Sequence, residues 1–321
     1  MILEIFLVII GFVFLIKGAD LLVKAATIIA KKFGLSEMLI GLTIVAIGTS
    51  LPEIFVTITS ATESHSDLII GNAIGSCICN FLLVIGITSL IKPVKLDKRI
   101  VRRHLPTGIV AMILLIFLGN TEKLGKYQTI TRLQGIVLIL FTLLYIIYTI
   151  YEEKHEKKKN NKEVIVDNSN SKKYSVILIL IYLVLGLLGL KFGADFVVDN
   201  SVLLAKRVGL TEKFMGMTVV AIGTALPEIA TGIISARKGE TDLLLGNISG
   251  SNILNLCLLI GIGAVINPLT FTTNFNTSLI ILIAITIFIQ LISIIDKKSE
   301  LNRKRGIVLI FIYIIYICSM I

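Results

Sequence analysis

The feature of this sequence that most constrains the fold is a glutamate inside a long apolar segment. Residues 39–61 are long enough to cross a bilayer, yet Pro52 and Glu53 lie near their middle. A charge at membrane depth costs at least about 2.5 kcal/mol, so it predicts an ion path or a buried pair. The octapeptide Ala46-Ile-Gly-Thr-Ser-Leu-Pro-Glu53 then recurs as Ala221-Ile-Gly-Thr-Ala-Leu-Pro-Glu228. We interpret this repetition as functional.

Composition places the chain in the bilayer. It is 55% hydrophobic and 16% charged over 321 residues, whereas soluble domains are about 25% charged. Continuous apolar runs of about twenty residues recur, which predicts an all-α polytopic membrane protein and disfavours a β-barrel. The first apolar run continues into a full span, so we expect no cleaved signal peptide. The net charge of +10 lies in loops, and we do not expect nucleic acid as a partner.

Ten transmembrane helices are predicted along the chain. They lie at roughly 3–30, 38–62, 68–91, 104–120, 130–151, 174–205, 213–236, 243–266, 277–295 and 305–320. The loops on one side carry most of the lysines and arginines, notably within 92–103 and 154–173. The positive-inside rule therefore predicts a multi-pass protein of the cell membrane with both termini outside.

The two halves of the sequence are repeats. A shift of 175 residues aligns Gly18 with Gly193, Glu53 with Glu228, Asn72 with Asn247, Ser76 with Ser251, Asn80 with Asn255 and Pro93 with Pro268. Each half holds five spans, an odd number, so the halves enter the membrane from opposite sides as inverted-topology repeats. We predict a first five-helix repeat at 1–151, a cytoplasmic linker at 152–173 and a second five-helix repeat at 174–321.

The repeated segments carry oxygen donors. Proline removes a backbone N–H from the helix, so we expect freed carbonyls around Ala46 and Thr49. The first repeat offers Ala46, Thr49, Ser50, Glu53, Ser76 and Asn80, at helical spacing. The second repeat offers Ala221, Thr224, Glu228, Ser251 and Asn255. Oxygen ligands suit hard cations such as Ca²⁺ and Na⁺, and two glutamates would neutralise one Ca²⁺.

These motifs also carry a family resemblance. Gly-Thr-Ser-Leu-Pro-Glu followed by Gly-Asn-Ala-Ile-Gly-Ser-Cys-Ile-Cys-Asn, with both elements repeated, resembles the α-repeats of the calcium/cation antiporter superfamily, prokaryotic sodium/calcium exchanger branch. The resemblance implies a secondary antiporter that exchanges Ca²⁺ for Na⁺ by alternating access. It implies that Glu53 and Glu228, with the carbonyls of Thr49 and Thr224, hold Ca²⁺. It also implies that the Na⁺ sites form from those four residues with Ala46, Ser76, Ala221 and Ser251.

Two departures from the family pattern concern the second repeat. Ala225 stands where some archaeal relatives have Ser, so one hydroxyl is missing. Asn255, which matches Asn80 of the first repeat, stands where potassium-dependent relatives and some archaeal exchangers carry Asp, which argues against K⁺ co-transport. The resemblance further implies that the long first and sixth spans slide across a fixed core.

Alternative functions stay open at this point. A Ca²⁺/H⁺ antiporter would use the same donors. A Ca²⁺-permeable channel would explain the oxygen donors but not the inverted repeat. An enzyme is not expected, because the sequence has neither HExxH nor a nucleophile–base set. No cofactor and no obligate protein partner is expected beyond the lipid bilayer and the transported ions.

Packing and pairing are predicted as well. We expect Gly41, Gly71, Gly75 and Gly86 to permit close helix packing. The i, i+4 pairs Asp20 with Lys24 and Lys191 with Asp195 are expected to be local ion pairs or snorkelling ends.

Overall fold

The computed structural model describes residues 2–121, 123–124, 127–159, 175–207, 221–296 and 298–320, most of them in helices. The helices of the first half are α1 Ile2–Phe33, α2 Glu37–Thr49, α3 Leu51–Thr62, α4 Ser66–Ile91, α5 Ile100–Thr121 and α6 Arg132–Lys159. Those of the second half are α7 Val176–Arg207, α8 Ala221–Thr224, α9 Leu226–Lys238, α10 Thr241–Ile266, α11 Thr273–Ile295 and α12 Arg303–Met320.

Seven helices of the described part are long and apolar enough to cross a membrane: α1, α4, α5, α6, α7, α10 and α11. The bent pair α2 and α3 makes an eighth if it is counted as one span. The helix α12 has 18 residues but begins with three cationic ones. The predicted span 213–236 begins among residues that the structure does not describe. The polytopic helical class is therefore confirmed, and the total of ten spans stays a prediction.

The polar segments lie in the interior of the bundle. Most of α4 and α10 is buried, whereas α1, α6 and α7 expose apolar side chains such as Phe12, Leu144 and Ile177. Apolar exposure of this extent suits a lipid-facing surface. The segments rich in hydroxyl and amide groups are thereby shielded from lipid, as their chemistry requires.

The long helices α1 and α7 run antiparallel and touch backbone to backbone. A Cβ added at Gly11 would lie 2.8 Å from the carbonyl oxygen of Gly193, and one added at Gly18 would lie 2.8 Å from that of Gly186. Glycine permits this approach, since other residues would hold the helices apart. The two helices therefore form one closely packed pair.

Both repeated octapeptides contain a helix break at the equivalent residue. The chain bends by 46° between α2 and α3 at Ser50, and α8 and α9 are separated at Ala225, whose φ and ψ are −87° and 0°. A proline follows within the first two residues of the next helix in each case, where its missing N–H is tolerated. A helix break therefore lies directly before the segment that carries each glutamate.

Two π-helical turns lie at equivalent places in α4 and α10. They span Asn80–Val84 and Leu254–Leu259, so each contains one of the paired asparagines, Asn80 and Asn255. Turns of this kind are often found at functional sites, because they redirect a side chain without ending the helix.

Short antiparallel strands join the two halves. The strand β1 Val94–Lys95 pairs with β5 Glu300–Leu301. The strand β3 Tyr127–Ile130 pairs with both β2 Lys123–Leu124 and β4 Leu269–Thr270. In each sheet a segment of one half is bonded to a segment of the other, which fixes the connections around the bundle.

One of the predicted local ion pairs differs in the structure. Lys191 and Asp195 do pair, at 2.7 Å. Asp20 instead pairs with Lys238 of α9 at 2.7 Å, while the Lys24 ammonium lies over the ring of Tyr182. A partner on another helix prevails here because helix packing brings Lys238 next to Asp20, a contact that spacing along one helix cannot reveal.

The glycine prediction holds at two positions. A Cβ at Gly41 would lie 2.5 Å from the Leu243 carbonyl oxygen, and one at Gly86 would lie 2.6 Å from an Ile310 side chain. At Gly71 and Gly75 no described atom lies within 4 Å of such a Cβ. Gly216, which corresponds to Gly41 in the second repeat, is not among the described residues.

The predicted linker 152–173 begins within a helix. The helix α6 continues to Lys159, and Glu153 is buried in contact with Ser36 and Arg99. These contacts keep the helix ordered past the apolar run, which explains why the composition alone placed its end earlier. The rest of the predicted linker, from residue 160, lies outside the described residues.

Candidate functional site

The two glutamates of the repeated octapeptides are buried, and the described residues offer their carboxylates no hydrogen-bond donor. Glu53 and Glu228 are 1% and 2% exposed, each in the first turn of its helix, α3 or α9. None of their four carboxylate oxygens has a hydrogen-bond partner among the described residues. A buried, unpaired carboxylate costs several kcal/mol, so this arrangement calls for a counter-charge.

More unpaired oxygen atoms come from the predicted site residues. Four further side-chain oxygens are buried and lack a partner within the described part of the chain: Ser50 Oγ, Ser76 Oγ, Asn80 Oδ1 and Asn255 Oδ1. Buried polar atoms are paired in most proteins, so a concentration of unpaired acceptors and hydroxyls indicates an absent ligand. Each of these atoms can donate a lone pair to a cation.

Contacts between the halves bring these residues together. The Thr49 hydroxyl donates to Asn247 Oδ1 at 3.2 Å and lies 3.5 Å from Ser251 Oγ. The Glu53 and Glu228 carboxyls are close enough to interact electrostatically. Residues far apart in sequence therefore surround one buried polar region.

The remaining predicted residues lie on the same segments. Ala46 is completely buried on α2, and Thr224 ends α8 directly before the break at Ala225. The backbone of Ala221 begins α8, and its side chain is outside the described part. The carbonyl of Ala46 accepts from the Ser50 N–H at 3.1 Å. The expectation that proline frees this carbonyl is therefore wrong, and the Thr49 hydroxyl also lies 3.4 Å from the same oxygen.

Other residues of the site were not assigned a role by sequence reasoning. Asn247 accepts from Thr49 and donates to the Thr231 hydroxyl at 3.4 Å, and Thr231 in turn donates to the Glu228 carbonyl at 3.1 Å. Thr57 is buried one helical turn after Glu53, and its hydroxyl has no hydrogen-bond partner among the described residues. The i, i+4 spacing from Glu53 was the available signal for Thr57.

The chemistry of the site is dominated by oxygen. Within the described ranges no group of three or more His, Cys, Asp and Glu side chains could hold a metal ion. A cation here would rely on two carboxylates together with hydroxyl, amide and backbone oxygens. Such donors favour hard ions, because soft transition metals select thiolate and imidazole.

Comparisons with known proteins agree with this chemistry. The profile of the family described as sodium/calcium exchanger protein matches residues 3–151 and 178–321. The putative antiporter CaxA of Alkalimonas amylolytica is 34% identical over 279 residues, which cover 84% of this chain and 83% of that protein. The sodium/calcium exchanger MaX1 of Methanosarcina acetivorans is 32% identical over 97% of this chain and 96% of its own.

A solved structure matches the fold from end to end. The sodium-calcium exchanger NCX_Mj, soaked with 10 mM Na⁺ and zero Ca²⁺, superposes with a TM-score of 0.83 at 30% identity, covering 100% of this chain and 99% of that one. The names of these relatives describe antiporters and exchangers, as expected of a transporter rather than an enzyme. Because the family profile spans most of the chain and the similarity to two relatives exceeds 30% identity over at least four-fifths of it, this chain belongs to the sodium/calcium exchanger protein family.

Proposed function

We propose that this protein is a secondary antiporter of the cell membrane that exchanges Ca²⁺ for Na⁺ by alternating access. The observation that carries the proposal is the pair Glu53 and Glu228, both buried and both without a hydrogen-bond partner in the described structure. Each lies just after a helix break in its own half, so one ion bound between the halves would contact both.

Charge balance favours a divalent ion between these glutamates. Two ionised carboxylates repel each other in a poorly hydrated interior, where Coulomb energies are several times larger than in water. One Ca²⁺ cancels both charges and accepts six to eight oxygen ligands. We assign the carbonyls of Thr49 and Thr224 as further Ca²⁺ ligands, since they end the helices that precede each break.

Na⁺ would use the oxygens that flank the glutamates. Ser76 and Ser251 supply hydroxyls on α4 and α10, and Ala46 and Ala221 supply backbone carbonyls. Ser50, Asn80 and Asn255 are accessory donors, with oxygen atoms that are buried and unpaired among the described residues. Neutral oxygens suit a monovalent ion, whose weaker charge needs less compensation than Ca²⁺ does. Sharing the glutamates would make the two ions compete, as exchange requires.

The proposed architecture is a pair of inverted five-helix repeats with ten spans in all. The equivalent helices α1 and α7 run antiparallel, as this symmetry predicts. Reciprocal contacts also support it: Gly86 of α4 packs on Gly306 of α12, and Gly261 of α10 packs on Gly135 of α6. Binding between inverted repeats is a common arrangement in alternating-access transporters.

For the topology we propose that both termini lie outside and that the linker from 152 to 173 is cytoplasmic. This assignment rests on the lysines and arginines of the loops. The relatives MaX1 and NCX_Mj are both named sodium/calcium exchangers. Their names support Na⁺ and Ca²⁺ as the two transported ions proposed here.

The test is uptake of ⁴⁵Ca²⁺ into proteoliposomes with an imposed Na⁺, K⁺ or pH gradient. An outward Na⁺ gradient should drive uptake, and a K⁺ gradient of the same size should not once the membrane potential is clamped. Uptake driven by a pH gradient alone would establish the Ca²⁺/H⁺ alternative. Uptake that needs no counter-ion and follows the Ca²⁺ gradient would establish a channel.

A further inference from the structure

Two asparagines from opposite halves form a buried amide pair that joins α4 to α10. Asn80 of α4 donates through Nδ2 to Oδ1 of Asn252 on α10 at 3.0 Å, and the two residues are 1% and 3% exposed. Asn252 directly follows Ser251, which the proposed function places in the Na⁺ sites. It belongs neither to the glutamate motif nor to the ligand set described above.

An amide side chain can aim either its oxygen or its NH₂ group at a neighbouring ion, with opposite electrostatic effect. The hydrogen bond to Asn252 engages the NH₂ group of Asn80 and leaves Asn80 Oδ1 buried and unpaired in the described structure. The reverse orientation would direct two N–H donors at a cation. On the basis of the proposed function, we infer that Asn252 is a positioning residue that makes Asn80 present its oxygen to Na⁺.

The buried amide of Asn252 lowers the stability of the fold. Its Nδ2 is buried with no partner among the described residues, and an unpaired buried donor destabilises the fold. An apolar residue of the same size would remove this unpaired donor, but it would leave Asn80 Nδ2 without its acceptor. The residue itself is held firmly, because it lies within α10 and its backbone carbonyl accepts the Cys77 thiol at 3.6 Å. Orientation of Asn80 accounts for the presence of an amide here.

The two repeats differ at this position. The shift of 175 residues makes Cys77 the first-repeat counterpart of Asn252. A thiol lacks the strong acceptor oxygen that is needed to hold an amide NH₂ group. Asn255, the counterpart of Asn80, therefore has no equivalent support from residue 77. Orientation by a neighbouring amide is thus a property of the first-repeat asparagine, and changing Asn252 should act through Asn80.

The experiment compares Asn252→Leu in two backgrounds, using Na⁺-dependent ⁴⁵Ca²⁺ exchange in proteoliposomes. In the wild-type background the half-saturating Na⁺ concentration should rise by roughly tenfold, the usual upper effect of one hydrogen bond. In the Asn80→Asp background the same change should matter less than about twofold, because a carboxylate has two acceptor oxygens and no NH₂ group to turn away. Gel filtration and thermal unfolding report folding, and Asn252→Ala serves if the leucine variant does not fold.

Equal losses in both backgrounds would show that Asn252 acts on the fold and would overturn the inference. An unchanged half-saturating Na⁺ concentration for the wild-type background would overturn it as well. Failure of the proposed function is seen separately, in the parent protein: Na⁺ would then not drive ⁴⁵Ca²⁺ exchange before any residue is changed.

Discussion

The Thr49 hydroxyl of α2 lies 3.5 Å from the Ser251 hydroxyl of α10, although 202 residues separate them in the chain. This contact places the glutamate-bearing segment of the first half against the serine and asparagine segment of the second. The proposed cation sites are therefore shared between the halves, and a change in either half should affect the same ion.

Glu53→Gln and Glu228→Gln should each nearly eliminate Na⁺-driven ⁴⁵Ca²⁺ uptake. Each removes one of the two negative charges proposed to oppose Ca²⁺. Loss of a hydrogen-bonding or coordinating contact to a charge costs about 3 kcal/mol, which is roughly a hundredfold in affinity. Glu63→Gln is the control, because that side chain is 68% exposed and screened by solvent. Wild-type exchange rates in both variants would rule out the assignment of these ligands.

Asn255→Asp should alter ion selectivity rather than abolish transport. A third carboxylate beside Glu53 and Glu228 overcompensates Ca²⁺, which favours an added monovalent cation or a proton. The variant should therefore gain K⁺ or pH dependence of exchange, measured with imposed K⁺ gradients and over a pH series. The conservative control is Asn255→Gln, which adds no charge. Identical K⁺ and pH responses in both variants would contradict the charge argument.

Cross-linking the long-helix pair to the core should stop exchange but leave Ca²⁺ binding measurable. Asp20 of α1 and Lys238 of α9 already pair at 2.7 Å, so cysteines at these positions suit a short bifunctional thiol reagent. The exposed Cys318 is replaced by serine beforehand, and the other three cysteines are buried. The controls are the two proteins that carry only one of the introduced cysteines, treated with the same reagent. Full exchange in the cross-linked protein would refute sliding of α1 and α7.

The start of α2 should lose stability when Glu153 is replaced. The Glu153 carboxylate accepts from the Ser36 backbone N–H at 2.9 Å and from the Ser36 hydroxyl at 2.7 Å. The oxygen of that hydroxyl accepts from the Leu39 N–H at 3.1 Å and so caps α2. Ser36→Ala should cost about 1 kcal/mol as a lost cap, and Glu153→Ala about 2 kcal/mol as a lost charge-assisted pair.

Thermal unfolding of the purified protein measures these effects, with the exposed Lys154→Ala as the control. The double variant should lose less than the sum of the two single losses, because both act on one interaction. Strictly additive losses would mean that Glu153 does not act through Ser36.

The connection between α11 and α12 should weaken at acidic pH. Hydrogen bonding from Arg305, and from the Lys298 N–H, holds the pKa of the Asp296 carboxyl below its ordinary value. A carboxyl with a lowered folded-state pKa stabilises the fold above its unfolded pKa of about 3.9, and this stability is lost as the pH falls through the folded value. Asp296→Asn should therefore lower the unfolding temperature at pH 7 and have no effect at strongly acidic pH. An equal decrease at both pH values would show that charge is not involved.

The sequence by itself determined the membrane class, the positions of most helices and the two glutamates. Apolar run length reports spans directly, because lipid imposes the length. Repetition of an octapeptide carrying Glu53 and Glu228 identified the buried charges without any contact information. The helix break before each glutamate followed from the local chemistry of Pro52 and Pro227, which acts within one helical turn.

Only the tertiary structure decided which groups meet. Asp20 pairs with Lys238 rather than Lys24, and Asn80 pairs with Asn252, because helix packing sets these distances and helical spacing does not. The Ala46 carbonyl keeps its backbone hydrogen bond, since the break falls at Ser50 and not earlier. A hydrogen bond extends over about 3 Å, so its partners depend on how helices pack across the bundle. Periodicity along a single chain segment contains no such information.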